Sequence, residues 1–308
     1  MRAAYYEAFG GPENLQIGEL SDPLPGAGQM LVRTQAAGVG IWDVGMMRSG
    51  HGPVAQVAPP HIPGSEIAGT VAVAAGPFTA GERVFGTLFW AGGGGFAELA
   101  AARVDGFMAM PDHLEFSEAA GLVIPAGTAY EGLVDRAKLQ DSEAVLITAA
   151  SGGVGTAAVQ IAKSLGAHVV AVASARHHDY VRDLGAELAV DYHDPDFVEQ
   201  LRSAVPSGFD VLFDGTGNDV RDQVVGLVRN GGRGIFIAGA PPAREGVEFQ
   251  AFAATVNPTR LEAVARLVSE GKLRMPIEAE FPLERAREAM EQVGARHTVG
   301  RVVLRISL

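Results

Sequence analysis

The sequence predicts an α/β chain, a doubly wound parallel sheet joined to a smaller, mostly-β domain. Three observations carry this. From Pro111 onward, apolar strand-like runs alternate with helical stretches at the spacing of β-α-β units. Before Pro111 the strand-like runs are short and close together, with no long helical period. At 149–155 a glycine-rich turn, AASGGVG, joins an apolar strand to an amphipathic helix.

Each element follows in chain order. Pro23, Pro25, Gly26 and Gly28 precede the strand-like run MLVRTQAAGV (30–39). IAGTVAVAAG (67–76) and GERVFGTLFW (81–90) read as further strands, and Gly92 to Gly95 as a loop. Residues 114–137 read as two helices broken around Pro125, because proline removes a helical donor. Next come a strand at 144–150, a helix at 156–166, a strand at 168–174 and a helix around 177–184. A short strand at 188–192, a helix around 195–204, a strand at 210–214, a helix around 218–229 and a strand at 233–239 follow. The tail reads as a helix at 258–271, a helix at 283–293 and a terminal strand at 299–306. A short edge strand fits around 246–252. At ~150 residues per domain, 308 residues make two. The expected division is 1–113, completed by 272–308, and 114–271.

Composition narrows the function. The formal net charge is −12, and no Lys/Arg run breaks it, so nucleic acid is an unfavourable partner. The chain has no cysteine. That removes disulfides, thiolate zinc sites, iron–sulfur clusters and cysteine nucleophiles together. The opening MRAAYYEAFGG lacks the apolar stretch of a secretory signal. Residues 144–162 carry no charge, but a central Ser-Gly-Gly makes them strand, turn and helix rather than a membrane span. The expectation is a cytoplasmic protein with no membrane partner.

The glycine turn carries the chemistry. Gly152 and Gly155 fit the second and third glycines of G-x-G-x-x-G, with Ala150 in place of the first. One glycine admits a pyrophosphate to the backbone, the other lets helix and strand pack closely, and the helix start offers free N–H groups. Ser151, Gly152, Gly153, Val154 and Gly155 are therefore the candidate cradle of a dinucleotide in a Rossmann-type sheet. A purely structural tight turn is the competing reading. An NAD site places an acid at the end of the second strand. Here that strand ends Ser174-Ala175-Arg176-His177-His178, with no acid until Asp179. A hydroxyl and a guanidinium there suit a 2′-phosphate, so Ser174 and Arg176 point to NADPH. The competing reading makes them a solvated helix start.

The motifs FGGPENL (9–15), GSEIAGTV (64–71), GERVFG (81–86), GGFAELA (94–100), PAGTAYEGL (125–133), AASGGVG (149–155), SARHH (174–178) and GRVVL (300–304) span nearly the whole chain. Together they resemble the medium-chain dehydrogenase/reductase superfamily, in its zinc-free quinone oxidoreductase-like branch. The resemblance implies a GroES-like β domain, built from the N-terminal segment and the tail, with the active site in a cleft beside the nucleotide domain. It implies that Thr128 lies near the nicotinamide and Tyr192 near the 2′-phosphate. It further implies that Gly215, Thr216, Ile237, Ala238 and Gly239 line the cofactor. Zinc alcohol dehydrogenases carry a ligating His where this chain has Ser65, and a Cys near Gly40–Asp43 that is absent here. Related quinone reductases often carry an Asn and a Tyr where this chain has Gly40 and Gly45 or Met46. The bulky side chains left to line a substrate pocket are Ile41, Trp42, Met46, Phe89 and Trp90, with ordinary core packing as the alternative.

The reaction implied is hydride transfer from NADPH to a quinone or to the C=C bond of an α,β-unsaturated carbonyl, without a metal. No catalytic side chain is singled out. The rivals are an enoyl reductase acting on a carrier-bound or coenzyme A thioester, and an NADPH-binding sensor or structural protein without turnover. A homodimer is the expected assembly.

Overall fold

The computed structural model describes residues 1–217, 219–255 and 257–306. Fifteen strands and eight α-helices are found among them. The first part holds β1 (Arg2–Tyr5), β2 (Gln16–Glu19), β3 (Gln29–Val39), α1 (Ile41–Ser49), β4 (Glu66–Val73), β5 (Arg83–Thr87), β6 (Leu99–Arg103) and β7 (Phe107–Ala109). The middle holds α2 (Phe116–Tyr130), β8 (Ala144–Ile147), α3 (Gly153–Ser164), β9 (His168–Val172), α4 (His178–Asp183), β10 (Leu188–Val190), α5 (Phe197–Ala204), β11 (Phe209–Asp214), α6 (Asp219–Val224), β12 (Val228–Phe236) and β13 (Glu248–Ala251). The tail holds α7 (Pro258–Ser269), β14 (Ile277–Pro282), α8 (Ala286–Gly294) and β15 (Arg301–Arg305). No helix among the described residues is long and apolar enough to cross a membrane.

Two compact units result. One comprises Met1–Ile124, Val256–Ser269 and Met275–Leu308, the other Pro125–Thr255 and Glu270–Arg274. The sequence-based division assigns 114–124 and 258–269 to the parallel sheet, whereas by compactness they group with the β-rich unit, where α7 packs on β7.

The parallel-sheet unit is ordered β10-β9-β8-β11-β12-β13, and every pair is parallel. Such a sheet is covered on both faces, which explains why β8, β9 and β11 are apolar almost throughout. Leu146, Val170, Val172, Phe209, Leu212 and Phe236 belong to one core cluster beneath α5. This is the doubly wound fold that strand–helix alternation predicts. β12 starts earlier than the sequence suggests. Val228 already pairs with Phe209, and the register is irregular between Phe209 and Val211. The helix expected around 218–229 is shorter for the same reason, and its first residue, 218, lies outside the described residues.

The β-rich unit is organised around β3, which pairs antiparallel with β4, β6 and β15. β15 brings the chain's tail back onto the first strands, with Val302 opposite Val39 and Arg305 opposite Ala36. α1, which sequence reading missed, follows β3 directly. Its buried faces mix Val44, Met46 and Met47 with two glycines nearby, so no clean helical period shows.

Buried carboxylates pin these pieces. Asp43 on α1 accepts from Ser65 Oγ at 2.5 Å and from the Gly40 amide at 2.9 Å. Glu66 at the start of β4 pairs with Arg301 on β15 and accepts the Ile124 amide at 2.7 Å. The expectation of two helices around Pro125 is corrected by the helix itself. α2 runs through Pro125 unbroken, and the amide just before the proline is satisfied by a side chain. Removing either acid from water has a cost. Burial pushes the Asp43 carboxyl up to about 6, against its bonds to Ser65 and Gly40 and the pull of Arg301. Burial likewise pushes Glu66 up to about 7, against Arg301 and the Ile124 amide, with the Asp43 charge adding to the rise.

Both acids hold protons more tightly folded than unfolded, so between about pH 4.5 and 7 the native state binds more protons and stability falls as pH rises. Urea unfolding should therefore give a more stable protein at pH 5.5 than at pH 8, by a few kcal/mol at most. Asp43→Asn should flatten that profile between pH 5 and 7. An unchanged profile would mean that Asp43 does not titrate there.

Candidate active site

The glycine turn is built as a strand-to-helix corner. β8 ends in the sheet centre, and Ala149 then takes a left-handed φ of 50°, a strained value for alanine. The Gly152 amide closes the corner onto Ala149 O at 3.0 Å, and Thr156 N–H donates to Gly152 O at 2.7 Å to begin α3. The amides of Gly153, Val154 and Gly155 form the first turn, where no intrahelical acceptor exists, beside half-buried Ser151. The two motif glycines do different work. A Cβ on Gly155 would lie 2.6 Å from Ala150 Cα and still closer to Ala149 O, so the protein itself demands glycine. A Cβ on Gly152 would come no nearer than 3.5 Å to any neighbour, with φ at an ordinary −76°. Nothing within the protein demands glycine at 152, and the side it leaves open is the side a ligand would use.

The loops after β11 and β12 gather at the same edge. Sequence reading missed the residue that arranges them, Asp214, the last residue of β11 and fully buried. It accepts from Thr148 Oγ1 at 2.6 Å, Thr216 Oγ1 at 2.7 Å and the Gly217 amide at 3.0 Å. The signal was the strand-end pattern Asp-Gly-Thr-Gly. Gly215 lies beside the Ala149 methyl and the Ile237 side chain, and Ile237 N–H donates to Asp214 O at 3.0 Å. The predicted residues Gly215, Thr216, Ile237, Ala238 and Gly239 thus stand by the glycine turn, at the carboxyl ends of the strands, where such sheets bind ligands. Thr128 is buried on α2.

The second-strand end joins them. Ser174 Oγ donates to Tyr192 OH at 3.2 Å, so two of the predicted residues meet. Arg176 is exposed. The structure adds an acid that linear reading did not bring here. Asp191, just after β10, accepts from the His193 amide at 3.0 Å and lies 2.8 Å from His193 Nδ1. Burial works to raise its carboxyl, but the amides of His193 and Ala175 and the His193 ring hold it below the usual range.

In the β-rich unit the candidate pocket residues form two groups. Ile41, Trp42 and Met46 lie on α1, exposed, half-buried and buried in turn. Phe89 and Trp90 lie in a 3₁₀ turn with their rings edge to face at 5.3 Å, and that turn packs beside the one at 53–56. Trp42 is held by different neighbours. The Arg301 guanidinium stands 5.2 Å from its ring, and its indole covers Gly40, where a Cβ would fall 2.6 Å from Cδ2. Tyr6 is buried near Asp43, and burial with that negative charge pushes its phenol up to about 12. Ser65 and Glu66 are already engaged, and among the described residues no three His, Asp or Glu side chains group as a metal would need.

Comparison with known proteins agrees with these features. The profile described as alcohol dehydrogenase GroES-like domain matches residues 26–112, and that described as zinc-binding dehydrogenase matches 184–304. The chain is 30% identical to the chloroplastic quinone-oxidoreductase homolog of Spinacia oleracea, over 99% of this chain and 98% of that one. It is 30% identical to the quinone oxidoreductase of Homo sapiens, over 95% and 94%. Among solved structures, an NAD-dependent alcohol dehydrogenase superposes with a TM-score of 0.91 at 28% identity, covering 100% of both chains. A mycobacterial protein complexed with NADPH superposes with a TM-score of 0.88 at 25% identity, covering 99% and 100%. The chain therefore belongs to the medium-chain dehydrogenase/reductase superfamily, as an oxidoreductase of its zinc-free, quinone oxidoreductase-like branch.

Proposed function

We propose that this oxidoreductase uses NADPH to reduce a quinone or the C=C bond of an α,β-unsaturated carbonyl, without zinc. The observation that carries the cofactor is Gly152, a glycine that no neighbour in the protein requires, at the mouth of a helix whose first amides are free. The amides of Gly153, Val154 and Gly155 would hold the pyrophosphate, with Thr128, Gly215, Thr216, Ile237, Ala238 and Gly239 along the rest of the nucleotide. When bound, the nicotinamide supplies a hydride.

NADPH is favoured over NADH by three residues. Arg176 is an exposed cation beside the paired hydroxyls of Ser174 and Tyr192, a set that suits a 2′-phosphate. Asp191 favours the second reading, NADH, since an acid there repels phosphate. Its oxygens are already occupied by His193 and backbone amides. The substrate falls to Ile41, Trp42, Met46, Phe89 and Trp90, an apolar and aromatic set suited to a flat carbonyl compound. The solved alcohol dehydrogenase and the quinone oxidoreductase relatives support the reaction class. We further propose a homodimer through the edge strand β13.

Three measurements test this. A screen of NADPH oxidation over 1,4-benzoquinone, 1,2-naphthoquinone, 2-alkenals and crotonyl thioesters should find turnover, and dialysis against EDTA should leave it intact. Loss on dialysis with recovery on adding zinc would overturn the metal-free mechanism. Gly152→Val should weaken NADPH binding at nearly wild-type stability, whereas Gly155→Val should lower stability by about 1–3 kcal/mol or more. Wild-type NADPH affinity in Gly152→Val would mean the turn has been misassigned. Arg176→Ala should weaken NADPH by roughly 10- to 150-fold and leave NADH nearly unchanged, since a charge-assisted contact contributes about 1.5–3 kcal/mol. A wild type that prefers NADH would overturn the NADPH assignment in favour of Asp191.

A further inference from the structure

Asp191 and His193 stand in the parallel-sheet unit just after β10, beside the residues assigned to the ribose of the cofactor. Strand pairing brings them there. β10 lies parallel to β9, and the Asp191 carboxylate accepts the amide of Ala175, the residue between Ser174 and Arg176. An acid therefore reaches the second-strand end through space, although the second strand itself ends without one. From that place an acid bonds the ribose 2′-OH of NAD and repels the 2′-phosphate of NADP. Burial works to raise this carboxyl, but the donors around it hold it below the usual range, so at neutral pH it is ionised and can only accept. The His193 amide at 3.0 Å and the His193 ring Nδ1 at 2.8 Å converge on one of its oxygens, Oδ1. Both are donors, because a carboxylate has no proton to give, and together they fill that oxygen. The ring is not a loose surface partner. It lies against the Tyr192 ring with centroids 4.1 Å apart, and Tyr192 packs on the core and accepts from Ser174 Oγ. The Asp191 side chain keeps 23% of its surface exposed, so a ligand hydroxyl has access to it once an oxygen is released.

We propose that His193 is a positioning residue that sets the preference for NADPH by keeping Asp191 occupied. With the ring in place, Oδ1 has no lone pair left for the 2′-OH of NADH, and the ring N–H offsets the negative charge that a 2′-phosphate would meet. Arg176, exposed beside Ser174 and Tyr192, then decides the local balance in favour of phosphate. Without the ring, the same carboxylate becomes what an NAD site carries at this place. The backbone amide alone does not suffice, since it fills only one of the two acceptor positions of Oδ1. The inference rests on the cofactor reading proposed above and deepens it. The chain holds both a cation that suits NADPH and an acid that suits NADH, and one histidine side chain determines which of them governs the ribose.

A cycle of variants on the full chain tests it. The quantity read is the ratio of the NADH and NADPH dissociation constants, by calorimetry at one fixed salt concentration. His193→Phe keeps a ring against Tyr192 and loses the donor, and His193→Ala loses both. Each should reduce the preference for NADPH by about tenfold, through weaker NADPH and equal or tighter NADH. Adding Asp191→Asn to either should restore the wild-type ratio, because an amide exposes no charge. Asp191→Asn alone should move the ratio by less than about threefold, so the two positions are coupled rather than additive. His193→Asn, whose side-chain amide N–H takes the place of Nδ1–H, should keep the ratio. An unchanged ratio in His193→Phe, an equal loss of both cofactors, or effects at the two positions that simply add would overturn the inference. A purely packing role would spare His193→Phe and would not be rescued at Asp191. The two levels fail separately. A wild type that prefers NADH defeats the NADPH reading, while the change of ratio between variants still reports whether His193 restrains Asp191.

Discussion

A carboxylate taken out of water must be surrounded by donors, and this chain meets that demand by using its buried acids to fasten loops. Asp43, Glu66, Glu131 and Asp214 are each at most 1% exposed. Each accepts at least one backbone amide: Gly40 for Asp43, Ile124 for Glu66, Thr255 for Glu131 and Gly217 for Asp214. Alternatives are poor, because leaving any of these amides or carboxylates unpaired in the interior costs more than any single surface contact contributes. The result is that α1, the middle of α2, the segment before α7 and the loop after β11 are each held by a charge rather than by apolar packing alone. Of these, α1 carries three of the candidate pocket residues, and the loop after β11 carries two of the candidate nucleotide residues.

The parallel sheet and its glycine turn were legible in the sequence because their signals are local. A buried strand, a short glycine corner and an amphipathic helix follow one another within about two dozen residues, and each constrains the next through backbone geometry. The β-rich unit was legible only as a class. Its strands are short, and β15 reaches β3 across most of the chain. α1 was illegible because its sequence, IWDVGMMRS, buries Val44, Met46 and Met47 yet leaves Ile41 exposed and Gly45 on the surface. The break expected at Pro125 was a sound reading of proline, yet α2 runs through it, with the Ile124 amide turned to Glu66 from 58 residues away.

The same distinction governs the site. Gly152 and Gly155 look equivalent in a motif, but only Gly155 is explained by packing against Ala150, while a Cβ at Gly152 would meet no close neighbour. Ser174 and Tyr192, 18 residues apart, were singled out for separate reasons and meet through their hydroxyls. Asp191 and Asp214 went unread because an acid at the end of a strand looks alike whether it clamps a loop or faces a ribose. What separates the two is the number of donors already turned toward each carboxylate, and that is set by neighbouring strands rather than by neighbouring residues.

The clamps also set the hydrogen-bond balance of the interior around α1. Ser65 spends its hydroxyl proton on Asp43, and Glu66 spends its oxygens on Arg301 and Ile124. Asp43 in turn accepts from Ser65 and Gly40, so each of these side chains is engaged within the protein. Fastening every acceptor in the cluster leaves its donors in excess, with the N–H of Trp42 and the Nε of Arg301 both unmet. The arrangement that anchors α1 thus satisfies its acids completely and leaves the shortfall on two neighbouring donors, which is the cost this packing carries.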